Sequence, residues 1–282
     1  MVSVRRIDDE QVLLERDRDT LAGGDLARAE LPYASLADAD LSTANLRGAD
    51  LCNADLRRAR LTGATLTGAD LTLSNCSGAD FNGASLDDAR LQAINLDTKG
   101  ATGTRFRGAN CTRATLKHSN LSGCDFANAT MHRADLTRSD LRGSDFTGAD
   151  LTGADLSFCD LAGASVAHVS LVGAILTGCN LEGADLQGAD LTLANFNGSR
   201  CMGVRFARSL WSKTVMARVS GLQDATGLDD LAYGDPSSID LWTLSRSAVL
   251  LPDALLAHVG ATHAVILALL RRETERVPPR IG

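Results

Sequence analysis

From Leu21 to Met216 an apolar residue returns at every fifth position, 40 times in succession without a change of phase. Leu fills 26 of these positions and Phe six; Cys takes three, and Ala101, Met131, Val166, Trp211 and Met216 the rest. Two residues earlier stands a small residue, most often Ala. The residue just before the apolar one is usually Asp, Asn, Ser or Thr, and Gly is frequent two residues after it. ADLTG at Ala149–Gly153 is the plainest copy of the unit.

A period of five suits neither common element. On an α-helix five residues advance about 500°, so the leucines would wander around the axis. On a strand they would alternate between faces. The pattern is satisfied when the chain turns a corner every five residues, so that each apolar side chain points to one axis. Stacked coils then pair backbone groups about 4.8 Å apart, giving a solenoid with a ladder of packed side chains.

The runs ADLSTANLRGADLCNADL (Ala39–Leu56) and GADLTGADLSFCDL (Gly148–Leu161) resemble the pentapeptide-repeat family, whose motif is A(D/N)LXX. The resemblance implies an all-β solenoid, a right-handed quadrilateral β-helix with four repeats per coil. About ten coils and a rod on the order of 45–50 Å are then expected. The expected organisation is an N-terminal cap over 1–20, a β-helix over 21–219 and a C-terminal loop and helical tail over 220–282. Asp97–Thr104 breaks the pattern, with Lys99 and Thr104 where Ala belongs and Ala101 where Leu belongs. A Lys ammonium is too costly to bury unpaired in so narrow a core. The segment reads as a local defect that keeps the phase, or as a recognition loop around Lys99, Gly100 and Thr102.

The two ends read differently. Residues 1–20 mix charges around Val12, Leu13 and Leu14 and are expected to form a short helix or an irregular cap. Beyond Val219 a loop is expected, then a helix N-capped by Ser237, then a second helical run from Pro252 to Val277 that caps the rod or dimerises. Pro236–Ala261 resembles the segment joining pentapeptide repeats to a TIR domain in some bacterial proteins. Ser237, Ser238, Ile239, Thr243, Leu244, Ser247, Leu251, Pro252, Leu255 and Gly260 match that pattern in order. The chain ends at Gly282, so no TIR domain is expected.

Composition narrows the function. Aromatic residues make up 4%, and the formal net charge of −7 argues against neutralising nucleic-acid phosphates. No membrane span or signal peptide is expected. Seven cysteines without framework spacing point to reduced thiols in a cytoplasm. Cys159 and Cys179, separated by four units, are expected to stack on one face as small hydrophobes. Phe106, Phe126 and Phe146 share that spacing and are expected to form an internal ring stack. The five histidines form no ligand pair and no nucleophile motif occurs, so neither an enzyme nor a cofactor is expected.

Charge along the repeats is uneven. Gly143 to Ser199 holds no Lys or Arg but seven acids: Asp145, Asp150, Asp155, Asp160, Glu182, Asp185 and Asp190. Such a belt is either the ordinary corner chemistry of Asp or an imitation of DNA phosphates. Phe158 sits within it at a Gly-favoured outward position and is the preferred contact residue. The resemblance to fluoroquinolone-resistance pentapeptide proteins implies a DNA mimic that modulates a type II topoisomerase, with a C-terminal homodimer. The tail implies an alternative, a scaffold or sensor that recruits an effector. Both are protein–protein interactions without catalysis.

Overall fold

The structure, a computed structural model, describes residues 2–16, 20–94, 103–247, 251–262 and 264. Its body is a β-helix in which each five-residue unit contributes one bridged residue. Successive bridges join residues four units apart, as in Asp25↔Asn45, Asn45↔Thr65 and Thr65↔Ser85, all parallel. Four units therefore complete one coil. Between coils, the Leu46 N–H donates to Thr65 O (2.7 Å), Gly48 N–H to Thr67 O (3.0 Å), and Asp50 N–H back to Ala29 O (2.9 Å).

The corner explains the rest of the repeat. From Gly23 to Ala93 and from Gly108 to Arg218, the residue two after each inward side chain has φ between 53° and 72°. The residue after it donates to the carbonyl of the inward residue, as Ala149 N–H does to Phe146 O (2.8 Å). This is the type II turn, whose third residue must enter the left-handed region; that is why Gly recurs there. The Leu, Phe, Cys and small residues between corners are buried in one continuous cluster. Ser and Thr in this interior mostly bond a carbonyl, as Ser139 Oγ donates to Leu116 O (2.9 Å) and Thr214 Oγ1 to Leu191 O (2.8 Å), while the Ser74 hydroxyl pairs with Cys76 Sγ (3.2 Å).

One coil departs from the rule. Asp80↔Arg105, Ser85↔Asn110 and Arg90↔Thr115 are bridges across five units where the other coils have four. The irregular segment thus adds one whole unit, which keeps the five-residue phase but shifts every later residue by one column. Thr104, which stands where Ala belongs, is fully buried and bonded to Cys76 O (2.9 Å). Lys99, Gly100 and Thr102 lie outside the described residues. The shift also lengthens the ring stack. Phe81 joins Phe106, Phe126 and Phe146, with centroids 4.9, 4.8 and 4.9 Å apart and planes within 7° of parallel.

Both ends differ from expectation. The N-terminus forms neither a helix nor an irregular cap but an antiparallel hairpin, β1 (Val2–Arg5) with β2 (Val12–Arg16). Arg5 O accepts the Ser35 N–H (2.7 Å), Ile7 N–H donates to Tyr33 O (2.9 Å), and Val4 is buried. The first coil's open edge is therefore paired rather than left as a template for association.

Beyond Val219 the chain continues the ladder instead of leaving it. Thr226 bridges Arg205, and β5 (Ala232–Tyr233) and β6 (Ser238–Ile239) pair in parallel with β3 (Leu210–Trp211) and β4 (Val215–Met216). The helix α1 (Leu241–Ser247) follows. Its N-terminus is held by Asp240, not Ser237: Asp240 Oδ1 accepts the N–H groups of Thr243 (2.9 Å) and Arg218 (3.1 Å). Thr243 Oγ1 in turn accepts the Val219 N–H and donates to Met216 O, filling the last coil's unpaired groups.

The second helix is short. α2 (Asp253–His258) stops in a Schellman arrangement, with Gly260 N–H on Ala257 O (3.1 Å), Ala261 N–H on Leu256 O (2.8 Å) and Gly260 at φ 71°. The long run expected to Val277 is interrupted here, and residues beyond 264 lie outside the described ones. Leu244, Leu251, Leu255 and Leu256 plug the end of the core.

Candidate protein-interaction surface

The acids of the belt are first of all corner residues. Each of Asp145, Asp150, Asp155, Asp160, Asp185 and Asp190 accepts, through Oδ1, the backbone N–H two residues on, at 2.8–3.1 Å. A carboxylate does this better than a carbonyl because the bond is charge-assisted. One oxygen of each remains outward.

Four of the belt acids meet a side chain from a neighbouring coil, three of them an arginine. Asp150 meets His132, Asp160 meets Arg142 (3.8 Å), Glu182 meets Arg200 (3.6 Å) and Asp185 meets Arg205. Partial burial works to raise the Asp150 pKa, but hydrogen bonds from Thr152 and His132 outweigh it and leave the group below its ordinary value. Among the described residues, Asp145, Asp155 and Asp190 have no such partner. Those three lie in different bridge columns, with Asp125, Asp135 and Ser170 as neighbours respectively. The belt thus wraps around the rod and does not concentrate on one face.

Phe158 is exposed, as expected, at φ 61°. The guanidinium of Arg138, one coil away, lies 5.0 Å from its ring centroid. On the other side the ring leans over Gly178, where an added Cβ would fall 2.7 Å from it. Ile175 is exposed in the same region, and sequence reading missed it. The available signal was an apolar residue where the unit calls for Asp, Asn, Ser or Thr.

The cysteines do not form a reactive site. Cys159 and Cys179 each donate Sγ–H to a buried carbonyl, Leu136 O and Leu156 O, at 2.9 Å. Burial pushes the thiols of Cys76, Cys111, Cys159 and Cys201 up to about 12. Cys52 reaches the same value, by partial burial and the neighbouring Asp50 and Asp70. A thiol so far from ionisation is a poor nucleophile and a poor metal ligand. No cluster able to hold a metal ion occurs among the described residues.

One Ser–His contact occurs at the capped end. His258 Nε2 accepts the Ser237 N–H (3.1 Å) and lies 3.0 Å from its hydroxyl, while Ser237 Oγ accepts the Thr214 N–H (3.2 Å). The His258 ring packs on Tyr233, 4.5 Å between centroids. Ser237 is buried, so the pair fastens α2 to the last coil and does not present a nucleophile. Accepting an N–H requires an unprotonated Nε2, and burial holds the His258 pKa below its ordinary value. The unfolded chain therefore takes up the proton first. The contact's contribution should be complete above about pH 6.5 and decline as pH falls through that value toward the lowered one. The expected result is a denaturation midpoint that drops more between pH 7.5 and 5.5 in the wild type than in His258→Phe. Equal drops would exclude the latch.

The tail residues that resemble a TIR linker do this capping work. Ile239 is in the ladder, Thr243 and Asp240 fill the edge, and Thr243, Leu244, Ser247, Leu251 and Leu255 are buried. Ser238 and Gly260, by contrast, stay exposed.

Residues 20–48, 34–72, 59–97, 104–143, 131–166 and 159–198 match the family model described as pentapeptide repeats, in eight copies. The chain belongs to the pentapeptide-repeat family. The right-handed β-helix is that family's fold. Among solved pentapeptide-repeat proteins, it is similar to HetL, involved in heterocyst differentiation regulation in Nostoc sp. strain PCC 7120. They share 32% identity over 64% of this chain and 84% of that one, with a TM-score of 0.28. A pentapeptide repeat protein of the Arabidopsis thaliana thylakoid lumen is 36% identical over 31% of this chain and 65% of its own, with a TM-score of 0.28. Full-length QnrB1, a plasmid-mediated fluoroquinolone resistance protein, is 18% identical over 72% of this chain and 91% of its own, with a TM-score of 0.31. No curated protein matches this pentapeptide-repeat chain. Among its described residues no helix is long and apolar enough to cross a membrane.

Proposed function

We propose that this pentapeptide-repeat protein is a non-catalytic rod that binds another protein through its outward side chains. The observation that carries the reading is the division of labour within the repeat. Inward positions are taken up by packing and corner positions by the turn, which leaves the outward residues of flat, rigid faces free to vary and to recognise. A cytoplasmic setting agrees with seven unpaired cysteines.

A narrower form of the reading makes the acidic belt a mimic of DNA that engages a type II topoisomerase. Its support is Asp145, Asp155 and Asp190, the belt carboxylates without a cation partner among the described residues. Their spread over three columns weighs against it, since a duplex-binding groove grips a continuous line of charge. A gyrase supercoiling assay, with and without a fluoroquinolone, decides between the forms. The expected result is unchanged supercoiling and no drug protection at low micromolar protein. Inhibition that disappears in the triple variant Asp145→Lys, Asp155→Lys, Asp190→Lys would establish mimicry instead.

A further inference from the structure

One face of the rod differs from the others in chemistry. It carries the bridge column Asp135, Asp155, Ile175, Asn195. Two adjacent coils of it, Gly173–Gly178 and Leu193–Gly198, include no charged side chain. Ile175 (39% exposed) lies at its centre, Leu193 (54%) on one bounding corner and Phe158 (55%) on the other. The backbone register brings them together. Phe158 N–H donates to Thr177 O, two residues from Ile175, and Leu193 stands one coil beyond Gly173, two residues before it.

The glycines at the corners shape the patch. With no side chain at Gly178, the Phe158 ring tips over it and reaches the level of Ile175. The three apolar groups therefore form a diagonal across a flat surface. Leu193 and Phe158 hold left-handed backbone at φ 60° and 61°, where Gly would be easier, and both remain more than half exposed. Their placement is not explained by core packing.

The end of this face toward the N-terminus is cationic. Arg133 and Arg138 occupy its two corners in one coil. Among the described residues neither has a carboxylate within ion-pair distance. Arg133 lies along the Gly153 corner, and Arg138 covers the Phe158 ring. Lys117 and Asp135 offset each other at 3.9 Å, and Asp155 is the face's single unpaired acid among the described residues, with Oδ1 already bonded to Ser157 N–H. From the arginine coil to Leu193 is three rungs, about 15 Å. That is the length of about ten helical residues at about 1.5 Å each.

We infer that this face is a docking surface for an acidic amphipathic helix of a partner protein, its apolar side laid over Phe158, Ile175 and Leu193 and its carboxylates meeting Arg133 and Arg138. The inference rests on the reading of the protein as an interaction rod and assigns it a face and a partner chemistry. Aromatic and arginine anchors beside one another are the residues that dominate such contacts. An amphipathic helix on a preformed apolar surface is an established recognition mode.

The test uses the full chain and a labelled helical peptide of about 14 residues, Leu along one side and Glu elsewhere, followed by fluorescence anisotropy. Its charge-reversed twin, with Lys for Glu, is measured in parallel. The acidic peptide is expected to bind at least tenfold more tightly than the twin. That binding should weaken at least tenfold in Phe158→Gly/Leu193→Gly, and again in Arg133→Glu/Arg138→Glu. The glycine pair suits the type II corner, so its loss of binding cannot come from unfolding. Failure of the acidic peptide to bind, equal binding of the twin, or indifference to both variants would overturn the inference. Tight binding of the basic twin that depends on Asp145 and Asp190 would overturn it too, while leaving the rod reading intact on a different face.

Discussion

Phe126→Ala is expected to lower stability by about 3–5 kcal/mol, the usual loss for a fully buried aromatic. Phe126 is completely buried between Phe106 and Phe146, at 4.8 and 4.9 Å between ring centroids. Its removal leaves a hole in a single-file core, where no side chain can move in from the side. In a solenoid each coil contacts only its neighbours, so the damage falls on two interfaces at once. Phe126→Leu restores the residue common at this position and should cost much less. Urea denaturation measures the total, and hydrogen exchange locates it. Amides from 104 to 150 should lose protection, while those from 40 to 60 keep theirs. A loss below about 1 kcal/mol would show that the stack relaxes freely, contrary to close packing of the core.

Gly227→Ala is the second large effect, of about 2–5 kcal/mol by the sum of two costs. Gly227 has φ 73°, and an added Cβ would lie 2.5 Å from Ala207 N and 2.7 Å from its Cα. Left-handed backbone costs a non-Gly residue about 1–2 kcal/mol, and forced overpacking adds about 1–3 kcal/mol. The clash is with backbone, so no rotamer change relieves it. Gly83→Ala provides the control. Its φ is 63°, with nothing within 4 Å of the added atom, so it should show the conformational part alone. The Gly227 variant should expose the ladder over residues 226–239, which covers the last coils, and so raise dye binding to apolar surface. Equal losses at the two glycines would mean that the contact with Ala207 is absent in solution.

These two positions also show how legible the molecule was. Phe126 could be placed inside the rod from the five-residue period alone, and its stacking on Phe106 and Phe146 followed from the four-unit coil that the family resemblance implied. Phe81 could not be added, because the coil that separates it from Phe106 holds a fifth unit. Gly227 lies past the end of the regular repeats. There the ladder continues through pairings whose separation grows at each step and that no period announces: Arg205↔Thr226, Leu210↔Ala232, Val215↔Ser238.

The candidate surface divides in the same way. Phe158 was visible as an apolar residue at a glycine corner, and the belt acids were visible as a run without bases. Asp185 and Arg205 keep the four-unit spacing of the phenylalanines, but that Asp160 is met by Arg142, which stands at a different position of its own unit, was not visible. Nor was the apolar diagonal, which requires knowing that Ile175, Leu193 and Phe158 adjoin one face.

By itself, then, the sequence determined which residues point inward and that the chain turns a corner in every unit. Those are local consequences of a turn repeated every five residues, and local geometry is written in local order. Only the tertiary structure decided which outward residues share a face, which charges are offset, and how each end is closed. These depend on the number of residues in each whole coil, and a single unit of extra length moves every later side chain to a neighbouring face.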